Sequence, residues 1–413
     1  MSEKNYNNMS SSPCIDSIKL QQSSYRWLVL AMVWLLYVCH GIILRSPSPL
    51  ITPMLKDLAM SYSQMGFILG SWQLTYLVVA IAAGIIIDKW GLRKSLFLGA
   101  IIMALSSALR YFAQGFGTLL PMVALFGLGG PMISIGAPKA IAMFFRGKDR
   151  GTAIGIYATG PWVGQMTALA ATNAVIMPMV GNSWRVTFVL YGLFTFGAAL
   201  LWWILGKKAG PVGKPDKSNF RHILKQLFEV HSVRIILLVG ILLFAVSHGF
   251  NSWLPKLLES SGLSPSAAGV YSSIPFISGI PAVLIIPRLT PAGSRGPMIA
   301  LLALLAALTI ILTSTMTLPL LLNLLLYGIA GGSLVPLVIL TLMETPGVDS
   351  DYMGAAGGLF FCISEIGGFF GPFIVGYLVD LTGSFTAGAI FLALLAAVIA
   401  VLMVPLKTVP AVP

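Results

Sequence analysis

Charge is what this sequence has least of. Only 9% of its 413 residues are Asp, Glu, Lys or Arg, against roughly a quarter in ordinary soluble domains. A surface bathed in water on every side is therefore excluded. Carboxylates are scarcer still, 13 against 25 Lys plus Arg, for a net charge of +12. That excess does not mark a nucleic-acid groove, because the basic residues form no single stripe and are instead sorted loop by loop. Cysteine is nearly absent: Cys14 lies in a polar N-terminal stretch, and Cys39 and Cys362 lie in apolar runs, so neither disulfides nor metal binding is expected. The four histidines are widely separated, no His/Asp/Glu constellation or repeated filter is present, and no G-x-x-x-x-G-K-[ST] loop occurs. These absences argue against a membrane enzyme, a channel and ATP-driven transport within this chain, and no cofactor or metal is expected. The first 24 residues hold no apolar h-region and no small-residue cleavage pattern, so no signal peptide is expected.

What is abundant is apolar length, with 57% of residues hydrophobic. A hydrocarbon core of about 30 Å is crossed by roughly 20 apolar residues in a helix. Runs of that order cover 27–50, 65–87, 96–114, 119–145, 152–179, 184–206, 234–257, 266–289, 297–316, 319–343, 354–379 and 384–406, twelve in all. The alternating ten-residue segments of a membrane barrel are missing, and lipid leaves backbone groups no partner outside the segment itself, so the expected class is an all-α integral membrane protein.

The loops then set the topology. With the N-terminus inside, Lys89, Arg93, Lys94, Arg146, Lys148, Arg150, Arg234, Arg288 and Arg295 all fall on the cytoplasmic side, whereas only Lys56, Arg185 and Lys256 fall outside. This positive-inside asymmetry places both termini in the cytoplasm of what the compact loops suggest is a cell inner membrane. The acidic loop 344–353 dissents. The domain reading is a disordered cytoplasmic tail (1–24), a six-helix bundle (25–206), a Lys/Gly/Pro-rich cytoplasmic linker (207–233), a second six-helix bundle (234–406) and a short tail (407–413), in a chain expected to be monomeric.

The halves share a pattern. A shift of 203 residues carries Gly66 to Gly269, Gly151 to Gly354, Gly155 to Gly358 and Gly164 to Gly367. Each half also holds a His-Gly pair, His40-Gly41 and His248-Gly249, followed by Pro and then Ser-x-x-Gly at the head of the next helix. Chance among 43 glycines competes with duplication as the explanation.

Gly84-Ile-Ile-Ile-Asp88-Lys89-Trp90-Gly91-Leu92-Arg93-Lys94 resembles the signature between the second and third helices of the major facilitator superfamily. Helix count, linker and repeat extend the resemblance along the whole chain. The resemblance implies two pseudo-symmetric six-helix bundles and transport by alternating access. It also implies a cytoplasmic gate in which Asp88 sits at the N-terminal end of the eleventh helix, near Gly354, while Gly91, Arg93 and Lys94 hold the turn. The second-half copy, Arg288 to Arg295, lacks the aspartate. Leu44-Arg45, Gly151 to Tyr157, and Gly371-Pro372 with Gly376, Asp380 and Gly383 are similar to the cyanate and 2-nitroimidazole transporter group, with Ser46 standing where proline follows that arginine in the group.

Charged groups within spans are costly and mark function or an unusual partner. Arg45, beside the helix-breaking Pro47 and Pro49, is placed to fork hydrogen bonds onto a planar anion; snorkelling to the interface is the competing reading. Lys139 carries the same two alternatives. Arg110, followed by Tyr111 and Phe112, reads as an interface anchor and stays outside the site. Glu365, the one carboxylate deep in a span, is expected to carry a coupling proton or to pair with Arg45 or Lys139. His40 and His248 are candidates for proton relay, against packing as the plainer reading. Gln73, Tyr76 and Trp162 complete the expected substrate contacts. The functional expectation is a secondary transporter of a small organic or inorganic anion in a lipid bilayer, with protons as coupling ion. A proton-coupled multidrug exporter is the alternative, suggested by Gly160-Pro161-x-x-Gly164.

Overall fold

The protein is described by a computed structural model covering residues 24–206, 226–345, 348 and 353–404. Among these residues every regular element is helical. In chain order they are α1 (Tyr25–Arg45), α2 (Ile51–Asp57), α3 (Tyr62–Leu109), α4 (Phe116–Ala124), α5 (Phe126–Phe144), α6 (Gly147–Ala171), α7 (Met177–Met179), α8 (Trp184–Leu205), α9 (His231–Ser260), α10 (Pro265–Leu289), α11 (Arg295–Thr315), α12 (Leu320–Met343), α13 (Met353–Thr382) and α14 (Phe385–Met403). The expected tails lie outside the described residues, as does most of the linker. At its end the linker is shorter than expected: residues 226–229 are helical and α9 already begins at His231.

α3 is two spans in one. Its 48 residues are helical except at Gly91, whose φ of 80° and ψ of 164° turn the chain back, a conformation that glycine reaches without the cost a Cβ brings. Counting α3 twice and α4 with α5 once, and setting aside the short α2 and α7, gives twelve rods, at the places read from the sequence. Among the described residues, ten stretches are long and apolar enough to cross a membrane. The two rods that carry Gln73 and Gln165, Tyr62 to Gly91 and Gly147–Ala171, pack against the opposite bundle, α3 on α13 and α6 on α10. Polar residues there face the seam between halves, where lipid does not reach.

The duplication is visible in the packing. A Cβ on Gly164 would run into the Val38 carbonyl and the Ile42 nitrogen of α1, and one on Gly367 would run into the Ile241 carbonyl and the Ala245 nitrogen of α9. Every position in the second set is the first shifted by 203. The seam repeats it: Gly66 abuts the carbonyl of Pro372 and Gly269 that of Leu169, the same shift with the halves exchanged. Four contacts at one offset exclude a chance alignment of glycines. Gly164→Ala is expected to destabilise the protein by about 1–3 kcal/mol, the scale of an overpacked contact, because the carbonyl it meets is backbone and cannot rotate away; a lowered unfolding temperature in detergent would show it.

Basic residues sort to one end of the rods. Arg26, Arg93, Arg146, Lys148 and Arg234 lie at that end, with Arg26 on Asp149 at 2.7 Å. The acidic loop that dissented from the charge pattern begins at Glu344, which is ion-paired with Arg295 there. At the far end the halves interlock. Asp380 of α13 accepts from the Tyr62 and Ser63 amides at 2.9 and 2.7 Å, capping the N-terminus of α3. Thr52 bonds Glu259 and takes a hydrogen bond from Lys256 at 2.9 Å. At the basic end, by contrast, Gly151 and Gly155 of α6 and Gly357 and Gly358 of α13 face open space. The bundles meet at one end and part at the other.

Candidate functional site

α1 stops at Arg45 because proline intervenes. Pro47 has no amide to donate, the chain tightens into a 3₁₀ turn at Ser48–Leu50, and helix resumes at Ile51. The carbonyl of Pro49 is satisfied from the other side, by Asn173 Nδ2 at 2.8 Å, which a π-helical turn at Thr172–Ile176 places there. This break leaves Arg45, 4% exposed, at the seam between halves.

The guanidinium meets only neutral groups. Nε and Nη2 donate to Gln165 Oε1 at 3.2 and 2.8 Å, Nη1 donates to Ser252 Oγ at 3.1 Å, and the Phe276 ring lies 5.8 Å away. Gln165 is oriented by its own Nε2, which donates to the Pro161 carbonyl at 3.2 Å. Among the described residues no carboxylate pairs with Arg45. Under the shift of 203 that relates α1 to α9, the place of Arg45 is taken by His248, and Ser252 lies about one helical turn beyond it.

Beside Arg45 is a cavity of about 190 Å³ lined by α1, α6, α9, α10 and α12. Its walls include Trp162, Gln165, Ser247, His248, Asn251, Phe276 and Tyr327, with Gly328, Gly331 and Gly332 forming a side-chain-free wall. Asn251 Nδ2 donates to the Ser247 carbonyl at 2.8 Å and lies 3.3 Å from the Tyr327 hydroxyl. The cavity thus offers a cation at Arg45, neutral donors and acceptors at Ser247, Asn251 and Tyr327, and apolar surface at Trp162 and Phe276, whose rings meet edge to face at 5.8 Å.

Of the expected contacts, Arg45, Trp162 and His248 come together here. Gln73 does not line the cavity: it bridges the halves, donating from Nε2 to the Gly368 carbonyl at 3.2 Å, with His248 Nδ1 3.4 Å from the same nitrogen. Tyr76 stays within the first bundle, 3.1 Å from Ser134 Oγ. Lys139 is a correction: its Nζ lies 2.7 Å from Asp88 Oδ1, so its charge is spent inside its own bundle and not on a ligand. The same bond occupies Asp88 Oδ1, while the gate contact expected near Gly354 lies at the edge of the described residues. Arg93 instead anchors the turn to α8, donating to the Trp203 carbonyl at 3.0 and 2.7 Å, while Lys94 is exposed.

Glu365 forms neither expected ion pair. It is 8% exposed, and its Oε2 has no hydrogen-bond partner. A Cβ on Gly368 would lie 2.8 Å from that oxygen and 3.2 Å from Gln73 Nε2, so carboxylate, amide and, through Gln73, His248 form one buried group at the seam. His40 is packed between Tyr37 and Phe126, ring centroids 5.5 and 5.0 Å away, with neither ring nitrogen bonded. Arg110 is no interface anchor: it is 1% exposed. Ser252, Asn251 and Tyr327 were not legible as contacts from the sequence, although Asn251 and Ser252 lie within about one helical turn of His248, which was. Among the described residues no group of three or more His, Cys, Asp or Glu that could hold a metal occurs.

The model of the Major Facilitator Superfamily matches residues 33–372. The Hexuronate transporter of Bacillus subtilis (strain 168) is 28% identical over 389 residues, covering 84% of this chain and 87% of its own length. The Nitrite extrusion protein of the same organism is 25% identical, with 90% and 89% covered. The Probable galactarate/D-glucarate transporter GarP of Escherichia coli (strain K12) is 23% identical, with 89% and 91% covered. Among solved structures, a bacterial homolog to the human lysosomal transporter Spinster, inward-facing and unoccupied, superposes with a TM-score of 0.72 at 18% identity, covering 93% of this chain and 95% of that one.

Proposed function

The chain belongs to the major facilitator superfamily, and from that premise we propose that it carries a carboxylated sugar, or a close relative of one, across a membrane by alternating access. The observation that supports this reading is Arg45: a buried cation at the seam, held by Gln165 and Ser252 and lacking a carboxylate, at the head of a cavity. A substrate carboxylate supplies the missing charge in the planar, two-pronged geometry a guanidinium favours. Sugar hydroxyls suit Asn251, Ser247 and Tyr327, and the C–H face of a sugar suits Trp162. The hexuronate and galactarate/D-glucarate relatives agree with that chemistry.

Taking the basic end as cytoplasmic, the membrane as a cell inner membrane and the chain as a monomer, the far-end contacts make this the inward-open state. Glu365 carries the coupling proton in this scheme. The experiment is thermal unfolding of the purified protein across sugar acids, nitrite, neutral sugars and lipophilic cations, followed by counterflow of the best ligand in liposomes. A ligand at about 100 times its Kd raises stability by about 2.7 kcal/mol. Stabilisation by lipophilic cations alone would refute the anion reading and favour an exporter.

Alternating access has its own test. Asp380 caps α3 only while the far end is closed, and Lys139 occupies Asp88. Asp380→Ala is expected to cost the inward-open state about 1 kcal/mol after solvent screening, a roughly fivefold shift. Spin labels at Gln114 and Thr317, in a cysteine-free background, should separate at the far end, and Lys139→Gln should act in the same direction by freeing Asp88.

A further inference from the structure

Arg110 has an unusual surrounding for a guanidinium. It sits at the end of α3 with 1% of its surface exposed. Nη2 donates to Ser106 Oγ at 3.3 Å, the Phe188 ring lies 4.9 Å from the guanidinium carbon, and Nε and Nη1 have no hydrogen-bond partner. A small void of about 10 Å³ separates it from Arg45. Trp72, His248 and Ser252 also line that void, and no carboxylate does. The Ser252 hydroxyl, which accepts from Arg45, keeps its own hydrogen to donate. Two buried cations and a free hydroxyl donor therefore border a space about large enough for one water-sized group.

Burying a guanidinium without a counter-charge is strongly unfavourable, and removing water from it leaves N–H groups that only an acceptor can satisfy. We propose that Arg110 and Arg45 together hold a second compact anionic group, beyond the sugar-acid cavity on the side of the closed end. This rests on the sugar-acid reading and extends it: the void and the larger cavity are neighbours, with Leu44, Arg45 and His248 lining both, so a second carboxylate of a substrate bound at Arg45 needs only these side chains to shift to reach Arg110. A free halide entering with a monocarboxylate meets the same donors. The chemistry is one, and the sources are separable.

The test compares binding of galactarate, with two carboxylates, and galacturonate, with one, to wild type, Arg110→Gln and Arg110→Lys, in chloride and in methanesulfonate. If the substrate supplies the second anion, wild type binds galactarate roughly tenfold or more tightly than galacturonate, the scale of one charge-assisted hydrogen bond, with or without chloride. If a halide supplies it, galacturonate binding strengthens by a similar factor in chloride. Either preference should vanish in Arg110→Gln and return in part in Arg110→Lys, with galacturonate binding in methanesulfonate unchanged. Arg110→Lys also keeps the test open if the glutamine variant does not fold. The proposal is overturned if wild type shows neither preference, or if Arg110→Gln keeps it. Galacturonate binding that persists alongside that result leaves the Arg45 site standing, whereas no sugar-acid binding at all overturns both readings.

Discussion

Arg45→Gln is expected to weaken binding of the transported anion by about 100-fold while leaving the unliganded protein as stable as before, or more so. Loss of one partner of a buried, hydrogen-bonded charge pair typically costs about 2–5 kcal/mol, and about 2.7 kcal/mol corresponds to that factor. The pair in question exists only with substrate present. Without substrate Arg45 bonds Gln165 and Ser252 and, among the described residues, no carboxylate, so replacing it removes an uncompensated buried charge. A structural arginine would show the opposite sign, with a depressed unfolding temperature and near-normal affinity. Isothermal titration and thermal unfolding on the same preparations separate the two.

How much of this was legible in the sequence depended on what each feature needs in order to form. Span positions follow from local apolarity, so α10, read as 266–289 and found at Pro265–Leu289, required no tertiary information. The glycine repeat was legible for a similar reason: helices approach closely only where a side chain is absent, and Gly164 and Gly367 must be small wherever the rest of the fold lies. Arg45 stood out because charge in an apolar run is rare. Lys139 stood out equally and went elsewhere, because its partner Asp88 is 51 residues away and their meeting depends on the packing of α5 against α3. Arg110 was misplaced by its neighbours. Tyr111 and Phe112 are exposed, as an interface predicts, but a 3₁₀ turn at Arg110–Phe112 sends the arginine inward. Asn251 and Tyr327 are ordinary residue types in helices, and only the convergence of α9 and α12 on the seam makes them a wall of the cavity.

Glu365→Gln should abolish accumulation driven by a proton gradient and leave substrate exchange nearly intact. Glu365 lies at the seam with one oxygen unpartnered, no cation paired with it among the described residues, and Gln73 of the opposite bundle close by. A charged carboxylate in that place carries a desolvation penalty of several kcal/mol that nothing nearby offsets. The bundles therefore pack over it cheaply only when it is protonated, and the step of the cycle that brings water or a cation to it lets the proton leave. Glutamine keeps the shape and the neutral state, so the halves still rock and substrate still exchanges with substrate. What is lost is the link between proton and cycle. Uptake into liposomes with an acidic exterior should fall to the level seen without a gradient, while counterflow stays within about threefold of wild type, an effect below 1 kcal/mol on the barrier. Equal loss of both activities would instead assign Glu365 to substrate binding or folding. Unchanged accumulation would move the coupling step to another group, with His248, already 3.4 Å from the Gln73 amide, the next to replace.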